Sequence, residues 1–232
     1  MNIFGMILII IIGLCLWGGF RRGLFRSLLI TAAMILSMAG AAYATPVVGQ
    51  WIQGHTQIDE RIEAYVTEKL QLDPLREDGK TAQMQMIEEL PFPEGMKMAV
   101  INNNNIETYL AFQVRSFQAY LAHYLACVAV NSLSFILIQL GIIIISAVLL
   151  HISRDMTEIP IFHGIDKTGG LLLGAVQALT IVWSVFVLLG AIGNTAVGLW
   201  AYSGICDSPV LSFLYDHNLL LNTITNMTKL LF

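Results

Sequence analysis

The sequence predicts an all-α integral membrane protein with about four transmembrane helices, a helical extracytoplasmic insertion and an amphipathic C-terminal helix. Three observations carry this. Of 232 residues, 56% are hydrophobic and only 12% are charged, where a soluble domain carries about a quarter. Too few charges remain to cover a water-facing surface, so lipid must cover much of it. The apolar residues gather into four long runs, and a short arginine-rich loop separates the first two.

Span one is Ile3 to Phe20, without a charge and built mostly of Ile, Leu and Gly. Span two is Ser27 to Tyr43, rich in Leu, Ile, Met and Ala. Between Arg115 and Arg154 no Asp, Glu, Lys or Arg occurs, and this run holds span three. Span four is Leu171 to Ile192. Each reaches or approaches the ~20 residues a spanning helix needs. A helix also satisfies its own backbone inside lipid. Span three is longer than required: at ~1.5 Å per residue, Ala122 to Leu150 reaches ~43 Å against a ~30 Å core. It is expected to protrude or tilt.

The loops set an orientation. "FRRGLFRS" carries Arg21, Arg22 and Arg26 and no acid, so the positive-inside rule keeps it cytoplasmic. The N-terminus, the segment from about Pro46 to Tyr120 and the tail then lie outside, and the turn between spans three and four lies inside. Four regions follow: residues 1–48 with spans one and two, an acidic outer segment at 49–120, spans three and four at 121–192, and a tail at 193–232. A rival reading takes the basic start, the apolar run and Ala42-Tyr43-Ala44 as a signal peptide with its cleavage site. The whole apolar run ahead of it argues against that.

The outer segment has eleven acids against six bases. Ile58, Ile62, Val66 and Leu70 recur every four residues, a helical stripe. "DPLREDGK" breaks it, "TAQMQMIEELPFPEG" predicts a short helix ended by Pro91 and Pro93, and "INNNNIE" reads as a turn or a helix start. These helices are expected to rest on the membrane or on each other. In the tail, Asp207 or Ser208 can cap a helix with Pro209 in its first turn. It is read as an amphipathic or partly re-entrant helix at the outer surface.

The inner turn between spans three and four is "HISRDMTEIPIFHGIDKTGG". Arg154 and Lys167 bracket it, Pro160 stops a helix and Gly164 permits a tight bend. Asp166 is placed to cap the fourth helix. Gly170, Gly174 and Ala178 make a small-residue face that lets another helix approach. Span two offers Ala33, Ser37 and Gly40 as the matching face, so spans two and four are expected to pack there, or to use one face for self-association.

The stretch "GGFRRGLFRSLLITAAMILSMAGAAY" resembles the G-x-x-R-G opening of the colicin V production protein family. "IPIFHGIDKTGGLLLG" is similar to its later LPxxGxxDRxxGxxxG block, matching at Pro160, Gly164, Asp166, Gly170 and Gly174, with Lys167 in place of arginine. The long acidic outer segment departs most from the pattern. The resemblance implies a bacterial cytoplasmic (inner) membrane protein of about four spans, linked to colicin V production or export and to envelope homeostasis. It supplies no catalytic residues.

The residues themselves offer little chemistry. No nucleophile–His–acid arrangement, H-E-x-x-H or phosphate loop occurs, and the three cysteines lie far apart without metal spacing. No enzyme activity, cofactor or metal site is expected. A net charge of −4 gives no field for nucleic acid. The expected partners are the bilayer, membrane or envelope proteins, and further copies of the chain. Asn131, Ser134 and Gln139 on span three and Gln177 and Ser184 on span four are candidates for a polar pathway, an oligomeric solute or ion route. The bland alternative is hydrogen bonding between helices, worth ~0.6 kcal/mol per pair on average.

Overall fold

A computed structural model describes residues 3–70, 79–152, 163–193 and 195–227. Among these, eleven helices occur and no strand: α1 (Ile3–Arg22), α2 (Leu24–His55), α3 (Ile58–Leu70), α4 (Lys80–Glu88), α5 (Glu94–Asn103), α6 (Ile106–Ala111), α7 (Phe117–Ile152), α8 (His163–Ile192), α9 (Ala196–Cys206), α10 (Pro209–Asp216) and α11 (Leu219–Met227). Four of them, α1, α2, α7 and α8, are long and apolar enough to cross a membrane. They form an up-and-down bundle whose closest pairings are α1 with α8 and α2 with α7. Residues 153–162, including Pro160, lie outside the described residues.

One face of each long helix stays uncovered and apolar. On α1 it is Ile3, Ile7, Ile10, Leu14 and Trp17, spaced three and four apart, the period of one helix face. Opposite them Phe4, Gly5, Leu8 and Gly19 are buried. In water such a surface would drive aggregation; against acyl chains it is the stable arrangement.

Two of the long helices exceed the bilayer. At ~1.5 Å per residue, the 36 residues of α7 reach ~54 Å and the 32 residues of α2 ~48 Å. The predicted end of span two near Tyr43 is not the end of the helix: α2 continues through Pro46 to His55. Pro46 removes one backbone donor, yet the helix persists because tertiary contacts hold its second half. Gly49 there lies directly against the Asn131 side chain of α7.

The protruding start of α7 is enclosed by a cap of α3 to α6. Tyr120, Leu121, Tyr124, Leu125 and Val128 are buried together with Val66, Ile87, Phe92, Met96 and Val100. The predicted helices over "QIDERIEAYVTEKLQLD" and "TAQMQMIEEL" appear as α3 and α4. The asparagine run is both turn and helix start: the Asn104 amide donates to Gln83 Oε1 at 2.7 Å, and Asn105 Oδ1 accepts from Thr108 N at 3.0 Å to cap α6. Tyr120 Oη donates to Val100 O at 2.6 Å, tying α7 to a carbonyl in the last turn of α5.

The tail is three short helices, not one. Ser208 caps α10 with Pro209 in its first turn, as the sequence suggests, but the apolar α9 precedes it. The chain reverses after α8, because Gly198 sits directly against Ile192 O, and the tail folds back onto the bundle. Asn218 Nδ2 donates to Trp183 O at 3.0 Å.

The cap makes a stability prediction. Tyr120→Phe leaves the buried Val100 carbonyl without this donor and is expected to cost about 1–3 kcal/mol, read as a lower midpoint of thermal unfolding in detergent.

Candidate functional site

The residues of the two sequence blocks meet at one end of the bundle, where α1 passes into α2 and α8 begins. The glycine face of α8 is covered there by α1 and not, as expected, by span two. A methyl group on Gly19 would strike Gly170 O, and one on Gly170 would strike Gly19 O. One on Gly174 would lie 2.6 Å from Cys15 O and 3.2 Å from Leu16 Cα. The two backbones therefore touch without intervening side chains, and Ala178 continues the buried row. Helices in lipid gain little from hydrophobic burial against each other, so such close van der Waals contact is what holds them.

Gly23 is the only break between α1 and α2. Its φ of 78° lies in the left-handed region that favours glycine. A side chain there would also collide with the Asp166 carboxylate. Asp166 Oδ1 accepts from Leu24 N at 2.7 Å, so it satisfies an unpaired N–H at the start of α2 and meets the positive end of that helix. This corrects the expectation that Asp166 caps α8. It lies within the first turn of α8, whose start at His163 also takes in Gly164; Gly164 is helical and makes no bend.

Arg22 is half-buried and engaged. Its Nε donates to Gly18 O at 2.8 Å and its Nη2 to Gln177 Oε1 at 3.0 Å. Gln177 Nε2 in turn donates to Ser27 O at 3.1 Å and Thr31 Oγ1 at 3.0 Å. One buried amide thereby links α1, α2 and α8, and its charged donor makes the Arg22 bond stronger than a neutral pair. Arg21 and Arg26 are exposed. Lys167 lies 5.6 Å above the Phe20 ring, within cation–π range.

The other candidate residues separate. Gln139 Oε1 accepts from Ser184 Oγ at 3.0 Å, joining α7 to α8. Ser134 Oγ donates to Val130 O of its own helix, and Asn131 faces Gly49 of α2. A lateral cavity of about 380 Å³ lies between α2 and α8, lined by Ile35, Met38, Ala42, Val176, Trp183 and Thr223 among others; none of the five polar candidates lines it. On span two, Ala33 is half-buried, Ser37 donates to Met34 O of its own helix, and Gly40 faces Ile142 of α7. Of the predicted small-residue face of span two, Gly40 is thus used against α7. The sequence reading missed Gly19, Gly23 and Thr31 as contact residues. The signal for the first two was present in G-x-x-R-G, where glycine flanks the arginine at both ends.

Two tests follow from this geometry. Gly170→Ala is expected to destabilise the protein by about 1–3 kcal/mol through overpacking. Gly13→Ala and Gly141→Ala have open space around the new methyl and are expected to be neutral or stabilising by up to about 1 kcal/mol; thermal unfolding of the purified variants reads all three. Asp166→Ala removes the partner of Leu24 N and is expected to cost about 1 kcal/mol, with Asp166→Asn retaining part of the effect.

The matches to known proteins fall on these same elements. A model of the Colicin V production protein family matches residues 4–70 and 108–213. The first block contains Gly19, Arg22 and Gly23, and the second contains Asp166, Gly170, Gly174 and Gln177. Residues 71–107, which include α4 and α5, fall between the blocks. No curated protein and no solved structure matches the chain significantly. With most of the chain matched and both blocks joined in a single seam, the chain belongs to the colicin V production protein family and is a membrane protein of that family.

Proposed function

We propose that the protein is a non-enzymatic scaffold or accessory factor of the bacterial cytoplasmic membrane. It serves toxin or bacteriocin production or export and, more broadly, envelope upkeep. The observation that carries this reading is how the family-block residues are used. Gly19, Arg22, Gly23, Asp166, Gly170 and Gln177 all act on one another to fix three helices. A protein whose characteristic residues hold a shape, with Arg21, Arg26 and Lys167 left exposed beside them, acts by presenting that shape to others. The basic rim and the acidic cap at the other end are the contact surfaces, and copies of the chain are candidate partners alongside envelope proteins.

The orientation in this reading puts the N-terminus, cap and tail outside and the arginine-bearing loop in the cytoplasm. Arg21, Arg22, Arg26 and Lys167 gathered at one end of the bundle support it. A thiol introduced by Glu107→Cys on a Cys206→Ser background is then expected to react with a membrane-impermeant reagent in whole cells. Labelling only after lysis would reverse the orientation.

The solute-pathway alternative is less well supported, because Gln177, Gln139 and Ser184 close bonds between helices. Purified protein in liposomes is expected to pass no ions or small solutes. Photoreactive residues at Arg26 and Ile106 in native membranes are expected to give reproducible, defined protein adducts. A flux abolished by Gln139→Leu, together with no adduct at either position, would overturn the scaffold reading.

A further inference from the structure

The tail helices are apolar on two faces. Towards the bundle, Ala201, Ile205, Leu211, Tyr215, Leu221 and Ile224 are buried in one core with residues of α1 and α8. On the outside, Val197, Trp200, Val210, Phe213 and Leu219 are exposed, from 43% to 67%. From Thr195 to Asn218 the only acids are Asp207 and Asp216, and there is no Lys or Arg. Asp216 accepts from Glu94 N, at the edge of the cap.

The depth of these helices is fixed by two contacts. The Trp200 ring meets Phe4, the second residue of α1, with centroids 6.1 Å apart. Asn218 donates to the carbonyl of Trp183, nine residues before the end of α8, or about 14 Å along its axis. α9 therefore lies at the level of the start of α1, where the uncovered stripe of that helix begins at Ile3 and Ile7.

The connections between these helices meet the demand of a low-dielectric surrounding. Thr195 Oγ1 accepts from Gly198 N, Ser208 Oγ from Leu211 N, and Asn218 Oδ1 from Leu220 N and Leu221 N. The turn donors of Asp207, Ser208, His217 and Asn218 each find a carbonyl of the preceding helix. Hydrogen bonds of this kind lower the cost of placing the turns at membrane depth, where an unpaired backbone group is expensive.

We propose that α9, α10 and the start of α11 form a re-entrant collar immersed in the leaflet at the cap end of the bundle. Its outer face, centred on Val210 and Phe213, is solvated by phospholipid acyl chains. The collar does not cross the membrane. It widens the bundle in one leaflet only, and the α4–α5 segment between the two family-matched blocks holds it from above, through Tyr215 near Pro91 O and Asp216 accepting from Glu94 N.

Benzophenone-bearing residues placed singly at Phe213 and Val210 of the full chain test this in native bacterial membranes, with Leu36 on the uncovered face of α2 and Glu60 on the cap as references. Irradiation is expected to give phospholipid adducts at Phe213 and Val210 comparable to Leu36 and roughly tenfold above Glu60, since only residues within the hydrocarbon meet acyl chains. Adducts to a second copy or to another protein in place of lipid, or lipid adducts no higher than at Glu60, would overturn the proposal. Phe213→Asp, set against Phe213→Leu, gives an independent reading. A several-fold loss of folded protein in the membrane is expected for the aspartate alone, because a charge in lipid is costly. Equal yields of the two variants would also overturn it.

Discussion

The fold depends on backbone-to-backbone contact between α1 and α8. Lipid gives helices no hydrophobic reason to associate, since acyl chains are as apolar as leucine. What remains is close packing and a few hydrogen bonds, and both require that side chains be absent at the contact. Gly19, Gly170 and Gly174 supply that absence, and the carbonyl of each helix lies where the Cβ of the other would be. Once these helices touch, the positions of Gly23, Asp166 and Gln177 follow, because each reaches its partner only at this separation.

The polar groups at the seam add direction to this contact. Gln177 spends both ends of its amide, accepting from Arg22 and donating to Ser27 and Thr31. Rotating α8 by one residue would strand them all in an apolar surrounding. Asp166 does similar work at the turn, holding the start of α2 against the start of α8. Small residues thus set the distance between the helices, and the hydrogen bonds set the register.

At the opposite end the constraint is different. The extra length of α2 and α7 carries apolar side chains beyond the bilayer, and the cap exists to cover them. Tyr120, Tyr124 and Val128 of α7 are as buried as any residue in the bundle, whereas Leu137 and Ile144 further along the same helix are exposed. Two media therefore solvate one helix, protein around its first half and lipid around its second.

Much of this was legible in the sequence because it depends on local quantities. The four spans follow from the length and purity of apolar runs, and the first cap helix, α3, from the four-residue spacing of Ile58, Ile62 and Val66; α5 carried no such signal. The starts of α6 and α10 follow from Asn105 and Ser208. The sequence by itself determined that the chain is helical, where its membrane spans lie, and that small residues mark a close helix contact. Only the tertiary structure decided that α1 fills the glycine face of α8, that Asp166 serves α2, that Pro46 does not end its helix and that the tail folds into three pieces against the bundle. The physical reason is that a glycine row states how closely a neighbour can come but not which neighbour it is. A carboxylate near two helix starts has no preference until packing brings one of them within 3 Å.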